Sequence, residues 1–250
     1  MGISLRFYAE LNDFLPAELR KTPFDYPIQP TQSIKHLIEK LGVPHTEVEI
    51  ILVNGCSVGF DYLPAAGDRI SVYPMFERLD VTPLLKLRPE PLRDPRFVAD
   101  AHLGKLARHL RLLGFDCLFF NDAGDDRLAE ISVSERRILL TRDRALLMRR
   151  EVTHGCFLHA LNPQQQLEEL INRLDLLRRV APFTRCIECN GRLHAIDRRK
   201  VVAELPKRVA ELYTEFWRCR DCARIYWKGS HYRQLADFIN RIAMAGSDEK

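Results

Sequence analysis

Apolar and polar positions change period along this chain, and the changes divide it. Ile3, Leu5 and Phe7 alternate with polar neighbours, the pattern of a half-buried strand. Ile34, Leu37, Ile38 and Leu41 then follow the three-and-four spacing of a helix over 33–41, which Gly42 ends. Strands are predicted again at 49–53 and 69–73, with turns at Asn54-Gly55 and Ala66-Gly67-Asp68. Two strands, a helix and further strands predict a small α+β domain over residues 1–80. Between 81 and 95 stand Pro83, Pro89, Pro91 and Pro95. Proline removes backbone donors and disfavours helix before it, so a semi-rigid linker is expected there.

The pattern then becomes α/β. Short apolar runs occur at 97–99, 115–120, 137–141 and 155–160. Leu103, Leu106, Ala107, Leu110 and Leu113 give a helical stripe between the first two, stopped by Gly114. Leu128 and Ile131 mark a second helix with Asp125 or Asp126 at its N-cap, and a third begins near Asp143 with Leu146 and Leu147. Strand and helix in alternation predict successive crossovers in a mostly parallel sheet over 96–180. Asn162-Pro163 reads as an N-cap with proline in the first turn. Leu167, Leu170, Ile171, Leu174 and Leu177 predict one long helix after it, packed on the sheet.

Acids follow three of these strands. Asp100 closes the first, Asp122, Asp125 and Asp126 lie after the second, and Asp143 follows the third. Parallel strands put their C-terminal ends on one edge, where ligands bind, so these acids are expected to converge. Carboxylates gathered together repel unless a cation intervenes, and oxygen ligands suit Mg²⁺ or Mn²⁺. The competing expectation is plainer: aspartate is also a favoured helix N-cap. Lys105, Arg108, Arg142 and Arg144 flank the acids, where they either meet phosphate oxygens or balance charge.

Cys186-Ile187-Glu188-Cys189 and Cys219-Arg220-Asp221-Cys222 are two CxxC knuckles separated by 29 residues. Four thiolates so arranged predict a tetrahedral, structural zinc site held by Cys186, Cys189, Cys219 and Cys222 in a ribbon over 181–250. A hairpin or helical insertion would fill the gap. Cys117 and Cys156 fall within predicted strands and are expected to be buried, and Cys56 lies on a turn. Trp217 and the stretch from Arg224 to Arg233 interleave aromatics with Arg and Lys. There Trp227, Lys228 and His231 suit base stacking and phosphate contact. The alternative is that Trp217 and Trp227 together form the ribbon's small core; the expectation is one in the core and the other exposed.

Charge sharpens the division. Residues 1–80 hold 7 basic and 11 acidic side chains, and residues 81–250 hold 31 and 23. Only the later part suits a polyanion. No apolar run reaches the roughly 18 residues of a membrane span, and no signal peptide is evident, so membrane attachment is not expected. Paired CxxC motifs without an export signal favour metal over disulfides and a cytoplasmic home.

From Phe97-Val98-Ala99-Asp100 through Leu103 to Arg108, Leu110 to Gly114, Asp125-Asp126 and Arg137 to Asp143, the chain resembles the Mut7-C RNase family of PIN-like nucleases. The string from Tyr226 to Tyr232 resembles the zinc-ribbon end of the same family. The resemblance implies a PIN-like, mostly parallel sheet flanked by helices and metal-dependent cleavage of RNA. It puts Asp100, Asp125, Asp126 and Asp143 at the family's acidic positions. Val53-Asn54-Gly55 and the run from Gly67 to Pro74 resemble the ubiquitin-like β-grasp of sulfur carriers. Carriers end in a free Gly-Gly, and this chain instead runs on through Pro74 to Asp80, so protein docking is the sharper expectation for residues 1–80. The functional expectation is a metal-dependent endoribonuclease, with a non-catalytic RNA- or ribosome-binding protein as the alternative. On the nuclease expectation, the first 80 residues should fold independently and be dispensable for cleavage.

Overall fold

The computed structural model describes residues 2–29, 31–75, 84–87 and 95–245, the side chains of 231 and 243–245 excepted. Most of the proline-rich stretch at 81–95, and the end of the first domain at 76–80, lie outside the described residues. In chain order the first elements are β1 (Gly2–Phe7), β2 (Phe24–Pro27), α1 (Ile34–Lys40), β3 (Ile50–Val53), β4 (Cys56–Ser57) and β5 (Arg69–Tyr73). Then come β6 (Phe97–Ala99), α2 (Gly104–Leu112), β7 (Cys117–Phe119), α3 (Asp125–Ser134), β8 (Ile138–Thr141), α4 (Arg144–Leu147), β9 (Gly155–Phe157) and α5 (Pro163–Arg173). Last are β10 (Leu193–Ile196), α6 (Lys207–Leu212), β11 (Phe216–Cys219), β12 (Ile225–Tyr226) and α7 (Ser230–Ala245). The chain divides into two compact units, 1–100 with 122–159, and 101–121 with 160–250.

The first unit opens with a mixed sheet in the order β2-β1-β5-β3-β4, in which β1 runs parallel to β5. The alternation of Ile3, Leu5 and Phe7 puts all three inside, with Leu5 and Phe7 beside Ile70 and Val72 of β5, and Ile34, Leu37 and Ile38 of α1 are buried too. Ser33 caps α1 by accepting from the His36 N–H at 3.3 Å, as a serine before an apolar-periodic run should. Asn54 and Gly55 both have positive φ, which closes the β3–β4 hairpin. Cys56, expected on the turn, begins β4 and is exposed. This is a β-grasp-like region.

The same unit contains the parallel sheet. β8 pairs parallel with β6 on one side and with β9 on the other. All three strands are buried throughout, as near-continuous apolar runs in a covered parallel sheet must be. α3 packs on β6 and β8, and α4 on β8 and β9, so helices flank the sheet. One local expectation needs correction. The α3 N-cap is Gly124 and not Asp125 or Asp126, both of which lie in the first turn. Carboxylates there still complement the helix dipole, so the sequence signal was offset by one residue.

Within this unit the β-grasp region also meets the parallel sheet. The short 3-10 turn His45–Glu47 packs on β9. The His45 ring meets the Val152 carbonyl at 2.8 Å and the Glu39 carboxylate at 2.7 Å, so each ring nitrogen faces an acceptor. The Glu47 carboxylate accepts the Phe157 N–H. Both Glu47 and Phe157 are buried, which hydrogen bonding of the charged group permits. The sequence expectation of a separately standing first domain did not foresee this contact.

In the second unit α2 packs on α5. Asn162 caps α5 by accepting from the Gln164 N–H at 2.9 Å, with Pro163 at the first position. Leu167, Leu170, Ile171 and Leu174 are buried as the stripe requires. The helix does not run on to Leu177, however. Asp175 takes a left-handed φ of 42°, and a 3-10 turn follows that buries Leu176 in its place. Aspartate tolerates that conformation, which restarts the helical phase and moves the buried position by one. The C-terminal part is an antiparallel sheet in the order β10-β11-β12, followed by α7. Short helical turns and α6 between β10 and β11 fill the long gap between the two CxxC knuckles.

Candidate functional site

Asp100 and Asp143 are organised around one hydroxyl. In the β6–β8 register Ala99 pairs with Leu140, so the next residues, Asp100 and Thr141, stand side by side at the strand ends. The Asp100 N–H extends the pairing to the Leu140 carbonyl at 3.0 Å. Thr141 is fully buried; its hydroxyl donates to Asp100 Oδ2 at 2.7 Å and accepts from the Asp143 N–H at 2.9 Å. The Asp143 carboxylate in turn accepts the Ala145 N–H at 2.7 Å and caps α4. Thus Asp143 does fill the capping role that competed with the functional one, while its side chain stays exposed. In the sequence Thr141 is only the last residue of the apolar run at 137–141. The signal was a hydroxyl residue two positions before an aspartate at a strand end.

Asp125 and Asp126 are exposed on α3. Asp126 Oδ1 accepts from Arg149 Nη2 at 2.6 Å, and the same arginine reaches Glu151 at 2.7 Å. With the Asp126 side chain 93% exposed, that ion pair holds it only weakly. Asp122 is exposed in the loop before α3. Among the described residues, the group of three or more metal-ligating side chains that lies close together is the cysteine set, not an acidic one.

The predicted cations have varied surroundings. Arg142 is exposed beside Asp143, and Lys105 is exposed on α2. The Arg144 guanidinium lies over the rings of Phe14 at 5.1 Å and Phe157 at 5.4 Å. Arg108 is ion-paired with Glu188, to which Arg224 also approaches within 3.7 Å. Lys228 pairs with Glu215 at 2.6 Å and lies over the Trp217 ring at 5.6 Å. Neither tryptophan is fully buried or fully exposed. Trp217 stacks on Phe183 at 4.1 Å, and Trp227 tilts toward Tyr213 at 6.4 Å. The buried rings of this region are Phe216 of β11 and Phe238 of α7 instead. His231 lies on α7, with its side chain outside the described residues.

The four predicted zinc ligands do come together. The sulfurs of Cys186, Cys189, Cys219 and Cys222 all lie within 4.8 Å of one another. Cys186 and Cys222 are 3.5 Å apart, and Cys189 and Cys219 are 3.4 Å apart. Zn–S bonds of 2.3 Å in a tetrahedron put sulfurs about 3.8 Å apart, so the set fits zinc. The residues just after the knuckles, Asn190 and Ala223, both take positive φ, which turns each loop back. At Gly191 a Cβ would lie 2.2 Å from Asp221 Oδ2 and 3.0 Å from Cys219 Sγ, so a side chain there would displace the Asp221 carboxylate. Burial opposes ionisation of Cys186, but the backbone N–H of Cys189 and the Tyr226 hydroxyl at 3.0 Å outweigh it and bring its pKa down to about 7. Burial, followed by the neighbouring thiols, pushes Cys189 up to about 12, and burial also raises Cys222. The Cys186 thiolate is favoured while those of Cys189 and Cys222 are disfavoured, as expected of a crowded set that a cation would help to ionise.

The first knuckle is fastened to α2 by a buried arginine that the sequence pattern does not single out. Arg111 is 4% exposed and donates to the Cys117 carbonyl at 2.8 Å, Ile187 at 3.0 Å and Glu188 at 2.8 Å. Asn190 accepts the Cys117 N–H at 3.1 Å and donates to Asp116 at 2.7 Å, where Arg185 also binds at 2.9 Å. Cys117 and Cys156 are buried in strands, as expected, and stand apart from the cluster.

Comparison with known proteins agrees with this anatomy. Residues 95–239 match the model of the Mut7-C RNAse domain, and residues 1–80 match that of the Mut7-C ubiquitin domain. The crystal structure of SAMP1 from Haloferax volcanii is similar over 30% of this chain and 97% of its own, at 14% identity and a TM-score of 0.24. No curated protein matches.

Proposed function

Since the chain belongs to the Mut7-C RNase family, we propose that it is a metal-dependent endoribonuclease acting at the Asp100–Asp143 end of the parallel sheet. The observation that carries this reading is the sharing of the Thr141 hydroxyl by two aspartates from adjacent strand ends. Asp100 and Asp143 offer the hard oxygen donors that Mg²⁺ or Mn²⁺ prefers, and one of Asp125 and Asp126 would have to move in to join them when the ion binds. Such an ion, when bound, supplies charge to polarise the scissile phosphate and to activate water. Thr141 fixes the Asp100 carboxylate and the backbone beside Asp143, so that both acids are oriented before substrate arrives. Lys105, Arg108, Arg142 and Arg144 contact phosphate oxygens, Arg108 by exchanging Glu188 for RNA. Trp227, Lys228 and His231 extend the RNA contact on the ribbon, whose zinc is structural because four cysteines leave no open position.

A second reading, a non-catalytic RNA- or ribosome-binding protein, is favoured by the arginine that Asp126 already holds. We place the protein in the cytoplasm, with RNA as its partner and a protein partner for the ubiquitin-like region. No helix among the described residues is long and apolar enough to cross a membrane. Cleavage of labelled RNA with and without Mn²⁺, compared between wild type and Asp143→Asn, tests the first reading. Asparagine caps helices as well as aspartate does, so the variant keeps α4 and loses only the charge. Loss of cleavage with RNA binding retained is expected, and cleavage at the wild-type rate sinks the nuclease reading.

A further inference from the structure

α4 is a single turn of four residues, too short to hold itself together. Its first residue, Arg144, follows Asp143 directly, so whatever fixes α4 fixes the Asp143 backbone. Leu146 and Leu147 anchor one side of that turn. On the other, the Arg144 guanidinium lies over Phe14, a β-grasp residue that is 5% exposed, and over Phe157 of β9. Phe14 also meets the Phe157 ring edge-on at 5.5 Å and His159 at 5.1 Å.

A second line of contact reaches the other acid. Glu47 of the β-grasp region takes the Phe157 N–H. The next residue, Leu158, donates its N–H to the Thr141 carbonyl at 3.0 Å. Thr141 then holds Asp100 and Asp143 through its hydroxyl. β9 ends the row β6-β8-β9, and Glu47 meets a donor on that strand.

We propose that the ubiquitin-like region acts in cis as a positioning element for the Asp100–Asp143 pair, with Phe14 and Glu47 as its positioning residues. It holds α4 through Arg144, and it holds the Thr141 backbone through β9. The inference rests on the nuclease reading only for its effect on turnover; its geometric content stands apart. A displacement of about 1 Å at reacting groups costs on the order of 100-fold in rate, so a small loosening of α4 is enough to matter.

The test compares Phe14→Leu and Glu47→Ala with the conservative Phe14→Tyr and Glu47→Gln, all in the full chain. Amide hydrogen exchange is read at Asp143 and Ala145, whose N–H groups are bonded within the network. Phe14→Leu and Glu47→Ala are expected to speed that exchange about tenfold. They are also expected to lower kcat on RNA roughly 10- to 100-fold with KM little changed. Phe14→Tyr and Glu47→Gln restore both readouts. Asp68→Asn, which weakens the same β-grasp region away from α4, serves as the control for simple destabilisation. The inference is overturned if exchange at 143 and 145 stays at wild-type rates in Phe14→Leu and Glu47→Ala. Equal changes in Asp68→Asn would overturn it too. A wild-type protein that cleaves no RNA sinks the nuclease reading, and the exchange measurements then decide the positioning inference alone.

Discussion

Thr141 donates its hydroxyl to the Asp100 carboxylate at 2.7 Å, and that bond joins the ends of two adjacent parallel strands. Thr141→Val keeps the shape and removes both the donor for Asp100 and the acceptor for the Asp143 N–H. Leaving such groups unmatched in a buried place costs roughly 1–3 kcal/mol. RNA cleavage should fall along with the melting temperature, and Thr141→Ser should restore both. Cleavage by Thr141→Val at the wild-type rate would remove this residue from the site.

One zinc per chain is expected by elemental analysis, bound by the four cysteines. Arg111 ties the Ile187 and Glu188 carbonyls to α2, so it should tune the metal without touching it. Loss of an outer partner of this kind typically costs 10- to 100-fold in metal affinity. Arg111→Ala is therefore expected to weaken zinc binding by about that factor in competition with a chromophoric chelator. Stripping the metal should also speed exchange at the Cys117 N–H, which donates to Asn190. Unchanged affinity in Arg111→Ala would show that the knuckle needs no support from the helix.

Gly155 begins β9 where a Cβ would lie 2.4 Å from Leu147 Cδ2 and 3.2 Å from Thr46 Oγ1. Overpacking of this kind costs about 1–3 kcal/mol. Gly155→Ala should lower the midpoint of denaturant unfolding accordingly. A midpoint equal to wild type would mean that α4 and the His45–Glu47 turn yield easily.

Much of this architecture was written in local patterns. Ser33 and Asn162 announced their helices because a capping side chain acts on N–H groups two or three residues away. The CxxC pairs announced the metal site because both knuckles are local turns. Asp100 and Asp143 were legible as strand-end acids. Thr141 was not, because its role depends on the register of β8 against β6. Phe14, Glu47 and Arg111 were invisible for the same reason: Glu47 meets Phe157 at a separation of 110 residues, and Arg111 reaches Ile187 and Glu188 at separations of 76 and 77. The break at Asp175 was also missed, since Leu174 and Leu177 continue the apolar spacing through a residue that leaves the helix.

Asp68 supplies a pH signature for the β-grasp region. Burial alone would raise its pKa, but the Ala65 N–H, the Tyr62 hydroxyl and the Asn54 amide bond the carboxylate and hold it below the usual value. A carboxylate depressed in the fold stabilises it above the unfolded pKa of about 3.9, and that contribution is lost as pH falls through the folded value. Asp68→Asn should thus be less stable than wild type at pH 7, by roughly 1–2 kcal/mol. The gap should close as pH drops below about 4. A gap independent of pH would show that the lost shape, not the charge, matters.

A chain that begins at residue 95 tests how far the two halves of the first unit depend on each other. The proline-rich stretch led to the expectation that such a chain would keep its activity. The packing argues otherwise. Val152, Phe157 and Leu147 are buried, and His45, Glu47 and Phe14 stand among the groups around them. Removing residues 1–94 would uncover the β9 edge together with the aromatic rings beside it. An apolar, unpaired strand edge promotes association between copies. The shortened chain should therefore melt lower than the full protein and form oligomers in size-exclusion chromatography with light scattering. Its turnover on RNA should fall as well, because Arg144 loses Phe14 and β9 loses Glu47. A monomeric shortened chain with the full protein's melting temperature and kcat would show that the β-grasp region is an appendage after all.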